Sequence, residues 1–389
     1  MKDFLLKFAL STEESDVLLP YFENAKKRLE AEKAEIFNFE KYNCYTYMKE
    51  DLARVRDALL LDKDNLLYAY FLHEILKTRD RELLKRTSAP RAEDKNELYD
   101  TLPLFALLAE IPAMREEQKK HGIPEDVQRD TANMFENQVQ DFINLNGHLG
   151  IKGYFFWMLR FLDLHILRIG RFNLEYKTFG ESYDVFETKD GLLMMPTEGR
   201  FHRSGQVLGS AGCEDEDGAF DAVLTETEDA YIGYPVVNGV CKNETITLKK
   251  CECKKLLSKG DAVISVHIPS GGPMTDEITE RDLARGGQIV EKCIGEAKAF
   301  ICASWLLDVQ IPKLLGKETN LTRFGARYER APIKSQGDSV YEYVFLCPKS
   351  TPVEALPEKS SFAKAVKAHM LAGGYLYGAV GVFKKSDLY

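Results

Sequence analysis

The stretch that most constrains this chain is residues 261–269, DAVISVHIP. Ala262, Ile264, Val266 and Ile268 alternate onto one face, and Val263, Ser265 and His267 onto the other, because successive strand side chains point to opposite sides. Both faces are largely apolar, which predicts an inner strand covered on both sides. Ser270-Gly271-Gly272-Pro273 follows, then helical periodicity to about Gly295, then a second apolar strand at 299–307, AFICASWLL. Strand, glycine turn, helix and strand in that order predict a parallel crossover.

Before this unit the chain reads first as helix. Ser11 and Glu14 have capping-box spacing, and Leu67, Phe71 and Ile75 share one helical face. The mixed charges of 77–100 read as a solvated connection or an exposed helix, and a further helix fits 102–118. His121-Gly122-Ile123-Pro124 is a stop signal. The domain boundary is expected there, giving a helical domain at 1–121 and a second domain at 122–389. Pro124 followed by Glu125 and Asp126 opens another helix, with the acids at the positive end of its dipole. Ile151, Phe155, Leu159, Leu162, Ile166 and Ile169 then predict one buried helical seam, closed by Gly170.

Short strands are expected next, at 172–179, 183–186, 192–195, 206–208, 219–225 and 245–248, separated by glycine and acidic turns. After the crossover, a helix near 312–315, a strand at 341–346, a helix at 362–371 and a strand at 375–383 complete the order.

Composition excludes several classes. With 52 basic and 61 acidic residues the chain carries a net charge of −9, which disfavours a nucleic-acid partner, since those need a basic face. Eight cysteines without framework spacing read as reduced thiols, and a cytoplasmic location is expected. Lys7 interrupts the apolar run near the N-terminus, so no secretory signal is read there. The apolar stretch 154–167 contains Arg160, Asp163 and His165, too charged to cross a membrane. Cys251 and Cys253 lack a second pair, the histidines are scattered, and no metal site is expected. Neither a G-x-S-x-G elbow nor a Walker A sequence is present.

Four segments together resemble the GNAT-like C-terminal domain of bacterial acyltransferase-domain proteins that also carry a helical N-terminal domain. They are 168–175 (RIGRFNLE), 266–273 (VHIPSGGP), 300–308 (FICASWLLD) and the glycines Gly373-Gly374. The resemblance covers 122–389 closely and the N-terminal part more loosely. It implies an α+β fold, an N-terminal helical domain followed by a GNAT-like mixed sheet flanked by helices. It also implies acyl-CoA, acetyl-CoA or longer, as co-substrate. The acceptor would be a small-molecule or peptide amine, attacking the thioester directly between two splayed strands.

Candidate site residues follow, each with a plainer reading beside it. His267 ends the inner strand where such sheets open to ligands, and an imidazole there can take a proton from an attacking ammonium; it can equally be a hydrogen-bonded core residue. Glu175 can be a base, directly or through water, or the ion-pair partner of Arg168 or Arg171. Ser304 can hydrogen-bond the thioester or the thiolate, and Asp308 can cap the next helix. Tyr328 and Arg327 can supply an acid for the leaving thiolate and an anion contact, or form an ordinary surface turn. Ile268, Gly271, Gly272 and Trp305 are the expected cofactor contacts, the glycines offering backbone N–H groups to a pyrophosphate and Trp305 otherwise serving as core.

The turn itself holds no basic residue, and Asp276 and Glu277 stand at the helix start. These features favour an alternative, a GNAT-fold binding or structural protein that has lost acyl-CoA binding. A third reading is a hydrolase pairing His267 with Ser304.

Overall fold

Asp62 accepts from the backbone N–H groups of Asp64 and Asn65, and Asp80 from those of Glu82 and Leu83, so two helices begin where short acidic side chains satisfy their first free donors. They belong to a helical series, α1 (Lys2–Lys7), α2 (Ser15–Glu32), α3 (Lys49–Leu61), α4 (Lys63–Thr78), α5 (Arg81–Thr87), α6 (Glu97–Leu108), α7 (Ile111–Lys120), α8 (Glu125–Asn146) and α9 (Phe155–Leu162). A computed structural model describes residues 1–32, 35–37, 48–91, 93–94, 96–151 and 153–388 of the chain. They divide into two compact units, Met1–Arg168 and Ile169–Tyr389.

In the first unit α4 is buried over most of its circumference. Tyr68, Ala69, Tyr70, Phe71, Leu72, Ile75 and Leu76 are all shielded from solvent. A charged row crosses this apolar interior: His73 Nε2 lies 2.8 Å from Glu110, and Arg79 joins Glu110 at 3.1 Å to Asp163 at 2.6 Å. The stop signal at 121–124 separates α7 from α8, and the division between the two units comes later, after Arg168.

The apolar seam expected as one helix from Ile151 to Ile169 is a helix and a strand. α9 ends at Leu162, Leu164 adopts a left-handed φ of 58°, and the chain re-emerges as β1 (Ile166–Ile169). Ile166 and Ile169 carry a spacing that suits both a helix stripe and a short buried strand. A left-handed leucine cannot continue an α-helix.

The second unit is built on a mixed sheet of β2 (Phe172–Thr178), β13 (Ala262–His267), β14 (Ala299–Ser304), β16 (Ala379–Lys384) and β15 (Glu329–Pro332), in that spatial order, and β1, which spans the division after Arg168, is the edge strand next to β2. β13 pairs antiparallel with β2 and parallel with β14, and β16 pairs antiparallel with both β14 and β15. The parallel step is bridged by α10 (Asp276–Cys293), as the strand–turn–helix–strand pattern predicts.

Between β2 and β13 the chain makes a set of small antiparallel sheets. Their strands are β3 (Tyr183–Thr188), β4 (Gly191–Pro196), β5 (Glu198–Phe201), β6 (Phe220–Val223), β7 (Thr225–Glu226), β8 (Ala230–Gly233), β9 (Val236–Val237), β10 (Val240–Cys241), β11 (Ile246–Lys249) and β12 (Cys253–Leu257). The strand expected at 206–208 is only a single bridge, between Phe201 and Val207. Tyr183, Val185, Met194, Phe220, Val236 and Leu257 of this layer join Val263, Ala299, Ile301, Val380 and Val382 in one apolar cluster on a face of the main sheet. The opposite face meets α10 and α12 (Asn320–Ala326), with Phe324 stacked on Phe172.

α11 (Ile311–Leu315) and α13 (Ser361–Leu371) flank the segment expected as a strand at 341–346, which is a π-helical turn, Tyr341–Phe345. Val340 and Phe345 bury among Ile311, Val366 and Leu376, so a local helical cluster covers this apolar run. Short apolar runs do not distinguish the two solutions by periodicity.

Candidate active site

The register of β2 on β13 places Glu175 opposite Ser265 and Asn173 opposite His267. These four side chains therefore share one face of the sheet. His267 reaches diagonally across the pair, and its Nε2 lies 2.9 Å from Glu175 Oε2. Glu175 is buried, whereas the His267 side chain keeps 28 % of its surface exposed. A carboxylate held against one imidazole nitrogen fixes the orientation of the ring and leaves the other ring nitrogen to face elsewhere. Asn173 was not singled out in the sequence. It is 1 % exposed, and its Oδ1 has no hydrogen-bond partner among the described residues.

The ladder between β13 and β14 is short. It pairs Ile264 with Phe300 and Ser265 with Ile301, and there it ends. β13 stays bonded to β2 through His267, and β14 stays bonded to β16 through Ser304. Each strand is thus held from its outer side while the two part from each other. Ala303, in the middle of the sheet and on the His267 face, is exposed beside this opening.

The turn after β13 has the backbone that its glycines permit. Gly271 and Gly272 have φ of 86° and 65°, the left-handed region that residues with a Cβ rarely enter. The segment itself lacks a basic residue, but the fold supplies one. Asp282 of α10 is buried, and its Oδ2 accepts from the Arg171 backbone N–H at 2.7 Å. This holds the β1–β2 turn so that the Arg171 guanidinium donates to the carbonyls of Pro269 (2.7 Å) and Gly272 (3.3 Å). Burial lowers the Arg171 pKa from its ordinary value, yet an arginine stays charged.

At the start of α10 the side chain of Thr275 accepts from the Ile278 N–H, and Asp276 meets Arg327 at 2.7 Å and Arg323 at 2.9 Å. Arg327 also contacts Glu280 at 2.9 Å. Arg327, expected as an anion contact, pairs instead with Asp276 and Glu280. Ile268 continues from β13 into the turn, half-buried.

Ser304 closes β14, and its Oγ accepts from the Leu306 N–H at 3.1 Å. Trp305 stacks on Phe362, with ring centroids 5.8 Å apart, and packs into the apolar cluster of α11 and α13. Asp308 is buried and accepts from the backbone N–H groups of Gln310 and Tyr377, tying the end of β14 to the approach to β16.

Ser304 is three residues beyond Ile301, and His267 is two beyond Ser265. Since Ile301 and Ser265 share a face, Ser304 and His267 lie on opposite faces. The Ser304–His267 hydrolase pairing is therefore not what this sheet builds.

Tyr328 is also not in a surface turn. It is 4 % exposed, its ring lies edge-on to Phe383 at 5.0 Å and beside Phe324 at 5.3 Å, and its hydroxyl has no described partner. Burial, with Cys302 nearby, pushes that hydroxyl well above its ordinary pKa, so it stays protonated. Burial likewise pushes the Cys302 thiol up to about 12, which makes it inert.

Residues 166–383 match the family model of the GNAT-like C-terminal domain, and residues 39–164 match that of the N-acyltransferase N-terminal domain. The chain belongs to this family. No curated protein matches its sequence. Among solved structures, an acyltransferase in complex with decanoyl-CoA and teicoplanin is 16 % identical, with 98 % of each chain covered and a TM-score of 0.63. An acyltransferase mutant in complex with octanoyl-CoA has the same identity and coverage and a TM-score of 0.62. An acyltransferase in complex with decanoyl-CoA is 17 % identical, again with 98 % of each chain covered, at a TM-score of 0.61. At these identities the likeness is one of fold. The GNAT-like domain accounts for the sheet described above, and its match begins at the first residue of β1. Among the described residues no helix is long and apolar enough to cross a membrane.

Proposed function

We propose that this chain transfers an acyl group from an acyl-CoA to an amine. The observation that carries the reading is the parting of β13 and β14 beyond Ser265 and Ile301, with His267 and Glu175 at its lip. The strand ends beyond that ladder present backbone groups to a slender pantetheine arm. The solved acyltransferases of the same fold, crystallised with CoA esters, support an acyl-CoA donor.

The roles follow from placement. Ile268, Gly271 and Gly272 line the turn where a pyrophosphate would meet backbone N–H groups. Arg171 and the neutralised Asp276 keep that helix end receptive to an anion. The amine nitrogen attacks the thioester carbonyl carbon, the C–N bond forms, and the C–S bond breaks. His267, oriented by Glu175, takes the proton that the nitrogen loses. The thioester threads between the parted strands, so that the departing sulfur lies toward the face opposite His267, where the Tyr328 hydroxyl donates a hydrogen bond to it and Ser304 closes the strand. Trp305 walls the end of β14. Little covalent work falls to the protein, so orientation supplies much of the acceleration.

The loss-of-binding alternative rested on a turn without a basic residue and an acidic helix start. Arg171 answers the first point, and the pairing of Arg323 and Arg327 with Asp276 answers the second for that residue. The test is thiol release from acetyl-, octanoyl- and decanoyl-CoA by the purified chain, with and without a panel of amines. Amine-dependent release with stoichiometric amide by mass spectrometry is expected. Release from none of the donors, together with no thermal shift on adding them, would overturn the reading.

A further inference from the structure

Asn173 is the least satisfied polar group beside the dyad. It sits in β2 directly opposite His267 and two residues from Glu175, on the same face. Cross-strand partners of this kind have Cβ atoms about 4.5–5.5 Å apart. Its side chain is 1 % exposed, and its Oδ1 has no hydrogen-bond partner among the described residues. An amide oxygen buried in this way destabilises the fold, whereas an apolar residue of similar size would not. A strand position that keeps such a group beside a base points to a donor arriving with the substrate.

We infer that Asn173 Oδ1 accepts the N–H that the acceptor nitrogen retains during acyl transfer, and so selects primary over secondary amines. The inference rests on the N-acyltransfer reading above and deepens it. A neutral primary amine brings two N–H groups. One proton leaves to His267 as the C–N bond forms and the C–S bond breaks. The other remains on nitrogen in the tetrahedral intermediate and in the amide product, and Asn173 Oδ1 holds it throughout. A secondary amine has a single N–H, which the base removes. Its nitrogen then carries carbon where Asn173 needs a donor, and the buried oxygen is left without a partner. Sites built to bond an N–H discriminate strongly against analogues that lack it, for this reason.

The experiment compares the best primary amine from the acceptor panel with its N-methyl derivative. It measures kcat/KM for each with wild-type protein, Asn173→Leu and Asn173→Asp. The primary amine is expected to be favoured in the wild type. In Asn173→Leu, which keeps volume and removes the acceptor, the preference falls by about tenfold or more, chiefly through a higher KM for the primary amine. Asn173→Asp retains an acceptor oxygen and retains most of the preference. Should the leucine variant fail to fold by circular dichroism, Asn173→Ala provides the same comparison. An unchanged preference in a folded variant overturns the inference and leaves acyl transfer standing. Absence of amine-dependent thiol release in the wild type overturns both readings together.

Discussion

Arg327 Nη2 lies 2.7 Å from Asp276 Oδ1, while Arg323 Nε lies 2.9 Å from the other oxygen of the same carboxylate. A guanidinium from α12 and one from the residue that caps its C-terminus thus bracket the first residue of α10. Of the two acids in the first turn, Asp276 is neutralised by its surroundings. Asp276 is about half exposed, so each pair adds little to stability. Its consequence is for the anion that the helix end receives. Arg327→Ala should weaken acyl-CoA binding about three- to tenfold, more at low salt than at high, with a nearly unchanged Tm. Isothermal titration at two ionic strengths measures this, and an unaltered Kd would separate the helix end from the ligand.

The dyad makes a sharper claim. If His267 removes the proton and Glu175 orients it, then His267→Ala should lower kcat/KM by about 10²–10⁴-fold. Glu175→Gln should lower kcat with a smaller change in the KM for the amine. The split between kcat and KM marks an orienting partner rather than a binding contact. A kcat identical to wild type would reduce Glu175 to a packing residue.

Tyr328 separates stability from activity. Its hydroxyl is buried and unpartnered among the described residues, so its removal exposes no new unsatisfied group. Tyr328→Phe should hold or raise Tm, by up to about 1 kcal/mol equivalent, while lowering kcat at least about tenfold if the hydroxyl meets the leaving sulfur. Retention of full kcat would remove Tyr328 from the chemistry without touching its role in packing against Phe383.

In the helical unit, Glu110 has a pKa below the usual carboxylate value. Burial opposes its charge, but the His73 hydrogen bond and the His73 and Arg79 charges more than offset this. A carboxylate whose folded pKa lies below its unfolded one contributes stability above the unfolded value of 4.5, and that contribution is lost as pH falls through the folded value. Glu110→Gln should therefore cost roughly 1–3 kcal/mol at pH 7. The gap between variant and wild-type melting curves should close as pH is lowered below 4.5. A gap that stays constant down to pH 3 would show that packing, not charge, sets the difference.

Alternation and punctuation alone determined the centre of this protein. The double apolar pattern of 261–269, the glycines after it and the apolar run from Ala299 specify an inner strand, a tight turn and a parallel return, because side-chain period and backbone freedom are local properties. They place His267 at a strand end and Gly271-Gly272 at a turn without reference to any distant residue. Tertiary structure decided the rest. Glu175 lies 92 positions from His267, and only the β2–β13 register brings its carboxylate to the imidazole and sets Asn173 opposite the ring. The charge at the turn was equally illegible, since Arg171, Arg323 and Arg327 reach it from other elements. The ambiguous apolar runs, at 166–169 and 341–346, became strand and helical turn according to which neighbours covered them. Hydrophobic spacing reports that a segment is buried; the partner it is buried against selects its conformation.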